Sequence, residues 1–273
     1  MNSDITAVII SKNEEQMLEN CLRSIKSLAK EILVIDNNST DQTALIAENL
    51  AAKVISIESP SFSRLRNEAL KYVKTGWVFY IDADERVTPS LATEIINHIN
   101  SGQTNSMTFQ RENYCYGHHL KHGGWQNDFV TRLFKTDNLK KWQGNIHESP
   151  IYIGGTNTAS NPLIHLTHRN TVQNLKKSAD WTIMEARLLA KSGIEVNVFT
   201  IIRKSFMEFF RRVVLKAGYK DGMVGWIEAF VQGMNRAMVY IQVWEEQNKP
   251  SLPEKYQAIE DRIKKSWRDF QQH

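Results

Sequence analysis

The sequence predicts an α/β protein in which a mostly parallel, Rossmann-like sheet carries helices on both faces. The main observation is a repeated unit of apolar strand, polar turn and amphipathic helix across the first hundred residues. Such alternation is typical of a parallel sheet, because each crossover helix packs back onto one of its faces. With 273 residues, 41% of them hydrophobic, the chain is also long enough to bury one enzyme-sized core with an appendage.

The individual elements follow from apolar runs and the polar residues that end them. Ser39 or Thr40 is predicted to cap the second helix, which runs to about residue 51. Thr88 and Pro89 are predicted to begin the fourth helix as its N-cap and first helical residue. The predicted strands are 5–10, 32–35, 53–57 and 77–81, and the first and third helices are 18–28 and 62–75.

Polar side chains stand where three of these strands end. Asn13, Asp36 and Asp82 each follow an apolar run, and in parallel sheets ligands bind outside the carboxyl ends of the strands. Asp82 and Asp84 lie two residues apart and can share one hard divalent cation such as Mn²⁺ or Mg²⁺. A solvated acidic pair at a strand end is the alternative interpretation.

The sequence contains no glycine-rich phosphate loop. Neither G-x-G-x-x-G nor the Walker pattern follows the first strand, which argues against a dinucleotide dehydrogenase and a P-loop NTPase. A nucleotide bound here therefore needs another partner for its diphosphate. A metal at Asp82 and Asp84, helped by Arg64 or Arg66, would supply one.

Four segments of the chain resemble the inverting, metal-dependent GT-A glycosyltransferases of family 2. In chain order they are VIISKNEE (8–15), VIDNNSTDQT (34–43), RNEAL (66–70) and FYIDADE (79–85). Three later segments resemble the branch of that family that builds the lipopolysaccharide inner core, which includes β-glucosyltransferases acting on a heptose. These segments are GW (124–125), RLF (132–134) and GNIHE (144–148).

The resemblance implies a binding site for a nucleotide-sugar donor, a UDP-hexose. Asp36 matches the acid that accepts the N3 proton of uracil, and a cap on the following helix is the alternative. Ser11 and Asn13 would line the base and ribose pocket, largely through the backbone at the end of the first strand. A simple turn and helix cap is the alternative for Asn13.

The resemblance also implies a divalent cation, Mn²⁺ or Mg²⁺, at the diphosphate. Asp84 would bind the metal that bridges the two phosphates, and Asp82 would reach the ribose or the same metal. His165 and His168 fall where some relatives place a residue near the metal or the diphosphate. A purely structural histidine is the alternative at both positions.

Three further residues are candidates for contacts with the donor or the acceptor. Arg66 would face the diphosphate, or else pair on the surface with Glu68 or Glu85. Trp125 would stack on a sugar ring, although a tryptophan more often belongs to a core. Asp128, near the same loop, is a weaker candidate of uncertain direction.

In the family the general base is a carboxylate from the second half of the sheet, and Glu148 is the matching residue. One of its oxygens would accept the acceptor's hydroxyl proton while the new bond forms on the face opposite the nucleotide. Such in-line attack inverts the anomeric centre. His147 could orient the sugar or bind a phosphate, and a solvent-exposed loop is the alternative interpretation for both residues.

The C-terminal third of the chain is basic and helical. From residue 166 onward, the chain contains 18 Lys and Arg residues and 12 Asp and Glu residues. In its second helix, aromatic and aliphatic residues occupy one sector, and Lys204, Arg211 and Arg212 project from another. Such a helix can lie on an anionic membrane surface or pack on the domain with a solvated outer face. The predicted helices are 172–191, 198–216, 224–246 and 252–273.

Composition also restricts location and partners. The chain has only two cysteines and no signal-peptide pattern. It also has no apolar stretch near the roughly 20 residues that span a bilayer. These features predict a cytoplasmic protein, free or peripheral on the inner face of the cytoplasmic membrane. The basic surplus carries no motif that reads nucleic acid, so no nucleic-acid partner is expected. The predicted domains are a GT-A catalytic domain at 1–165, with a nucleotide-sugar half at 1–100 and an acceptor half at 101–165, and a helical region at 166–273.

The sequence therefore predicts an inverting, metal-dependent transferase that moves a hexose, glucose from UDP-glucose, onto a lipopolysaccharide core sugar such as heptose. Within this class, another lipid-linked oligosaccharide or a polysaccharide is the alternative acceptor. Outside it, the alternative is a nucleotide-sugar-binding scaffold without turnover. Asp82, Asp84 and Glu148 are all present, which favours catalysis.

Overall fold

The computed structural model describes residues 3–144 and 148–271. The chain divides into two compact units, the first ending at Asn170 and the second beginning at Thr171. The boundary predicted at 165 falls inside a strand, Leu163–Thr167, that belongs to the sheet of the first unit.

Strands and helices alternate in the first unit as far as Ser101, and mainly strands follow. Thr88 caps the fourth helix by accepting the N–H of Leu91 at 3.2 Å, and Pro89 is its first residue, as predicted. The helices are α1 (Leu18–Ile25), α2 (Thr43–Asn49), α3 (Phe62–Leu70) and α4 (Pro89–Ser101). The strands are β1 (Ser3–Ser11), β2 (Ala29–Asp36), β3 (Lys53–Ser56), β4 (Trp77–Asp82), β5 (Glu85–Arg86), β6 (Ser106–Cys115), β7 (His118–His119), β8 (Phe129–Lys135), β9 (Leu139–Gln143), β10 (Ser149–Tyr152), β11 (Thr156–Thr158) and β12 (Leu163–Thr167).

The main sheet has its strands in the order β3-β2-β1-β4-β8-β6-β12-β5, with β7 and β11 pairing to β6. β1 runs parallel to both β2 and β4, and β2 runs parallel to β3. β8 enters antiparallel to β4 and β6, whereas β12 is again parallel to β6. The predicted fold class, a mostly parallel sheet with helices, is therefore confirmed.

Successive residues of β1 enter two separate cores. Ile5, Ala7 and Ile9 pack with the helices α1, α2 and α4, while Val8 and Ile10 pack with α3 and the β9–β10 hairpin. Because both faces of the strand are covered, its residues are apolar without a polar alternation. Helices therefore lie on both faces of the sheet, as the sequence predicted.

The second helix begins later than predicted. Thr43 is its first residue, and Asp41 supports that turn by accepting the N–H of Thr43 at 3.0 Å. Ser39 accepts the N–H of Asn13 at 3.0 Å, and the N–H of Thr40 donates to Oδ1 of Asn13 at 2.8 Å. The predicted cap at Ser39 or Thr40 is wrong because both residues bond the loop after β1 instead. The third helix is also shorter than predicted.

The second unit is helical, with helix bounds close to the predicted ones. A small core joins Ala186 to Val239 and Val243, and the hydroxyl of Ser205 donates to the carbonyl of Gly233 at 2.8 Å. Within the described ranges, no helix has the length and apolar content needed to cross a bilayer. The helices are α5 (Thr171–Ala190), α6 (Val198–Phe210), which continues as a π-helical turn (Arg211–Leu215), α7 (Gly222–Gln247) and α8 (Leu252–Gln271).

Candidate active site

Three of the predicted site residues lie side by side at one edge of the sheet. Ser11 ends β1 in register with Asp36 at the end of β2, and Ile10 is in register with Asp82 at the end of β4. Because these strands run parallel, their carboxyl ends open at the same edge. Ser11, Asp36 and Asp82 thus line one surface.

Two oxygens on this surface are buried without a hydrogen bond. In the described part of the chain, Oδ1 of Asp36 and the hydroxyl of Ser11 have no partner. The other carboxylate oxygen of Asp36 accepts the N–H of Ser39 at 3.2 Å. Buried polar atoms in folded proteins almost always have a partner, so this pair marks a place where a ligand would complete the bonding.

Asn13 connects two loops at the same edge. Its backbone has a φ of 55°, in the left-handed region that Asn tolerates better than most residues. Its side chain and its N–H bond Thr40 and Ser39 respectively. These contacts match the turn interpretation, and its role toward a ribose stays a prediction.

Arg66 is buried at the centre of the site rather than paired on the surface. Only 3% of it is exposed, and its Nη2 donates to Oδ1 of Asp82 at 3.0 Å. Its Nη1 lies 3.4 Å from a carboxylate oxygen of Glu148, and its guanidinium carbon lies 4.6 Å from the ring centre of Trp142. The surface pairs considered for Arg66 are wrong, since Glu68 bonds the ammonium of Lys71 instead.

A second arginine holds the other side of Asp82. Nη2 of Arg132 donates to Oδ2 of Asp82 at 2.5 Å. Burial acts to raise the pKa of Asp82, but the charges of Arg132 and Arg66 outweigh it, so this pKa lies below its ordinary value. Both carboxylate oxygens of Asp82 are therefore engaged by arginines.

Glu85 is a site residue whose position the sequence did not reveal. It is fully buried, accepts the N–H of Asp82 at 2.9 Å, and lies 3.4 Å from Nη1 of Arg111. Burial and the neighbouring charge of Asp82 raise the pKa of Glu85. Glu85 thereby stabilises the turn that contains Asp82 and Asp84. Its place directly after Asp84 in the fourth motif was the available sequence signal.

Asp84 lies against His165, with 3.6 Å between its Oδ2 and Nε2 of the imidazole. The backbone carbonyl of Asp84 accepts the N–H of Leu166 at 2.8 Å, which ties the turn after β4 to β12. Two ligand atoms about 2.1 Å from one octahedral cation, at right angles, lie about 3 Å apart. The observed 3.6 Å is close to this separation, so the carboxylate and imidazole are candidate ligands of one divalent cation.

Trp125 and Asp128 have structural partners in the first unit. The ring of Trp125 meets His168 edge-on, with 5.5 Å between ring centres. Both oxygens of Asp128 accept N–H groups of Arg111 at 2.9 Å, in a bidentate pair. Asp128 is thus paired with a partly buried arginine, and sugar stacking by Trp125 stays a prediction.

Glu148 reaches Arg66 from the β9–β10 hairpin, directly before β10. Its side chain is 19% exposed, so Glu148 is partly accessible to solvent and at the same time lies within ion-pair distance of the arginine. His147, with the two residues before it, lies outside the described residues. The structure therefore brings together Glu148, Arg66 and Asp82, whose separation in the chain gave no sign of this contact.

Comparison with models of protein families identifies one family. The family model described as Glycosyl transferase family 2 matches residues 6–158. An uncharacterized glycosyltransferase of Rickettsia bellii (strain RML369-C) is 24% identical over 250 residues, which are 85% of this chain and 83% of the relative. The glycosyltransferase SunS of Bacillus phage SPbeta is 27% identical over 185 residues, which are 61% of this chain and 43% of SunS.

Two solved structures are also similar. S. aureus TarS 1-349 in complex with UDP-GlcNAc aligns over 92% of this chain and 93% of that one, with 14% identity and a TM-score of 0.46. Glucosyl-3-phosphoglycerate synthase from Mycobacterium tuberculosis, in complex with Mn²⁺, UDP and glucosyl-3-phosphoglycerate, aligns over 40% of this chain and 44% of that one. Its identity is 22% and its TM-score 0.35.

Proposed function

The chain belongs to glycosyl transferase family 2 and has the GT-A fold, and we propose that it is an inverting, metal-dependent hexosyltransferase. Its sugar donor is UDP-glucose, and its acceptor is a heptose of a lipopolysaccharide inner core. The observation that carries the proposal is the pair of buried oxygens of Asp36 and Ser11, which have no partner in the described part of the chain.

A uridine would provide hydrogen-bond partners for both of these atoms at once. The N3–H of uracil is a donor for Oδ1 of Asp36, and the base carbonyls and ribose hydroxyls are acceptors for the hydroxyl of Ser11. Both residues end neighbouring strands, and β4 with Asp82 lies next in the sheet. A base at Asp36 therefore places its sugar and diphosphate toward Asp82 and Asp84.

Asp84 and His165 are the residues that would hold the divalent cation, with Asp82 supplying a further oxygen. A mixed carboxylate and imidazole set suits Mn²⁺ better than Mg²⁺, which prefers oxygen ligands. When bound, the cation neutralises charge that develops on the departing diphosphate. Arg66 and Arg132 would keep Asp82 ionised and fixed beside it.

Glu148 is the proposed general base. Arg66 orients its carboxylate at 3.4 Å, and its partial exposure lets an acceptor hydroxyl approach within hydrogen-bond reach. Glu148 takes the hydroxyl proton while the acceptor oxygen forms its bond to the anomeric carbon and the bond to UDP breaks. Attack from the side opposite UDP inverts the anomeric centre.

The second unit would bring the protein, located on the cytoplasmic side, to a lipid-linked acceptor at the membrane. α6 has no buried residue, and apolar side chains of α6 and α7 line a common groove with a volume of about 460 Å³. Arg203, Lys204 and Arg211 lie on the same helix and its continuation. An apolar face beside basic side chains suits an anionic lipid surface. The most exposed apolar residues of the two helices are Val198, Phe199, Ile202, Phe206, Met223 and Phe230.

Vesicle sedimentation tests this membrane contact. The doubly substituted protein Phe199→Ser with Phe206→Ser should lose most of its binding to vesicles with phosphatidylglycerol, whereas Leu45→Ser, an exposed apolar residue of the first unit, should bind like wild type. Equal binding by all three proteins would remove the membrane from the proposal.

Two variants test the chemistry. Asp84→Ala should abolish metal-stimulated release of UDP while circular dichroism shows an intact fold. Glu148→Gln should bind UDP-glucose within about twofold of wild type and lose transfer by roughly 10²–10⁴-fold. Unchanged turnover in Asp84→Ala would sink the metal assignment, and a fully active Glu148→Gln would sink the base assignment.

The acceptor is tested separately. Truncated lipopolysaccharide ending in heptose should gain the mass of one hexose. Transfer only to another lipid-linked oligosaccharide or polysaccharide would keep the enzyme class and replace the acceptor. Tight binding of UDP-sugars without release in the presence of all of these acceptors would favour the scaffold alternative.

A further inference from the structure

The amide of Asn113 lies between the candidate metal histidine and the partly buried salt bridge of Arg111 and Asp128. Asn113 belongs to β6 and is only 1% exposed. Its Oδ1 is 2.6 Å from Nδ1 of His165. Its Nδ2 is 3.1 Å from Oδ2 of Asp128 and 3.2 Å from the carbonyl oxygen of Trp125. Both ends of the amide are therefore engaged.

The partners of Nδ2 determine which way the amide points. The main-chain carbonyl of Trp125 can only accept, and the carboxylate of Asp128 already accepts two N–H groups of Arg111. Turning the amide by half a revolution would place its oxygen against two other oxygens in a buried site. Oδ1 of Asn113 must therefore face His165.

This orientation decides where the imidazole of His165 carries its proton. An amide oxygen accepts and never donates, so the 2.6 Å contact requires an N–H at Nδ1. In the neutral ring Nε2 then presents a lone pair, and Nε2 is the atom 3.6 Å from Asp84. The proton is thus held on the far side of the ring from the carboxylate.

We infer that Asn113 is the positioning residue of the cation site, acting through His165. By accepting from Nδ1, it fixes the tautomer and ring orientation that offer Nε2 to a divalent cation shared with Asp84. Arg111 and Asp128 in turn keep the Asn113 amide from rotating. The inference rests on the proposed function, because it takes His165 as a ligand of the donor-site cation.

A positioning role of this kind has a measurable size. Removing the hydrogen-bond partner of a metal-ligating histidine typically weakens metal affinity by about 10- to 100-fold. Asn113→Ala should therefore raise the Kd for Mn²⁺ by about that factor. A role limited to stability would lower the unfolding midpoint without changing the affinity of the folded protein for Mn²⁺.

The first experiment needs neither metal nor activity. Long-range ¹⁵N–¹H NMR of metal-free protein with labelled histidines, at a pH where the rings are neutral, distinguishes the two tautomers. The signal that disappears in His165→Gln identifies the residue. The expected spectrum shows the Nδ1–H tautomer for His165 in wild type. The Nε2–H tautomer there would overturn the inference without any variant of Asn113.

The second experiment titrates Mn²⁺ in the presence of UDP, with free Mn²⁺ measured by electron paramagnetic resonance. Asn113→Ala should bind Mn²⁺ 10- to 100-fold more weakly, while Asn161→Ala, whose amide bonds Glu94, should bind like wild type. Weak binding in His165→Gln but normal binding in Asn113→Ala would refute the positioning role alone. Normal Mn²⁺ binding in His165→Gln would refute the assignment of His165 to the proposed cation site.

Discussion

Replacing Arg66 tests how the centre of the site is held together. Arg66→Met keeps an unbranched apolar side chain but removes the guanidinium, which lies 3.0 Å from Asp82, 3.4 Å from Glu148 and 4.6 Å from the ring centre of Trp142. Breaking a buried ion pair costs about 3–5 kcal/mol. Asp82 keeps Arg132, and its side chain is 30% exposed, so we expect a loss at or just below the lower end of this range, about 2–3 kcal/mol.

Urea unfolding followed by tryptophan fluorescence and circular dichroism measures this loss. Lys71→Met is the matched control, because Lys71 follows the same helix and pairs with Glu68 at 2.8 Å with 66% of its side chain exposed. Such an exposed pair contributes at most about 1 kcal/mol. If Arg66→Met and Lys71→Met lowered the free energy of unfolding equally, the reasoning about the buried network would be refuted.

The acid side of the stability curve gives a second measurement of the same contact. The pKa of Asp82 is lowered in the folded state by Arg132 and Arg66. Its pairing therefore stabilises the protein above the ordinary aspartate pKa of about 3.9, and this contribution is lost as the pH falls through the lower folded value. In Arg66→Met the pKa is lowered less, so the stability difference from wild type should shrink in acid. A difference that widens in acid would contradict this.

Two other substitutions test the donor site and the packing of the second unit, respectively. Ser11→Ala removes a buried hydroxyl that has no partner in the described part of the chain. Urea unfolding should therefore show unchanged or slightly greater stability, whereas calorimetry should show weaker UDP binding. Equal UDP affinity in the variant and the wild type would remove Ser11 from the donor site. Gly225→Ala would normally favour a helix by about 1 kcal/mol, but its Cβ would overlap with the carbonyl oxygen of Gly218. Because overpacking typically costs about 1–3 kcal/mol, we expect a net loss of stability in urea unfolding. A gain in stability would contradict the close approach of Gly225 to the backbone of Gly218.

The strand edge of the site could be predicted because its signals are local. Apolar runs buried on both faces identify parallel strands, and the polar residues that end them must meet at one edge. Asp36 and Asp82 were found in this way, whereas Ser11 was implied by the family resemblance. The four motifs added the order in which these residues occur, and one family model matches the segment that contains them.

The remaining contacts of the site depend on tertiary structure. Asp82 and Arg132 are fifty residues apart, and Asn113 and His165 are fifty-two apart. Nothing in local spacing indicates such pairs, and burial decides them because a charge or amide removed from water must find a partner. For the same reason Arg66, whose alternative was a pair on the surface, is found buried between two acidic residues. Its role toward the diphosphate stays a prediction.

The central claim is a metal-dependent nucleotide-sugar site at the ends of β1, β2 and β4. Its most direct test is release of nucleotide by the purified protein from a panel of UDP- and other nucleotide-sugars. Each is incubated with Mn²⁺, Mg²⁺ or chelator, with and without truncated lipopolysaccharide. We predict release of UDP from UDP-glucose that requires Mn²⁺ or Mg²⁺, is greatest with Mn²⁺, and is accompanied by addition of one hexose to the acceptor. Failure of the folded protein to bind any nucleotide would contradict the site built on Asp36 and Asp84.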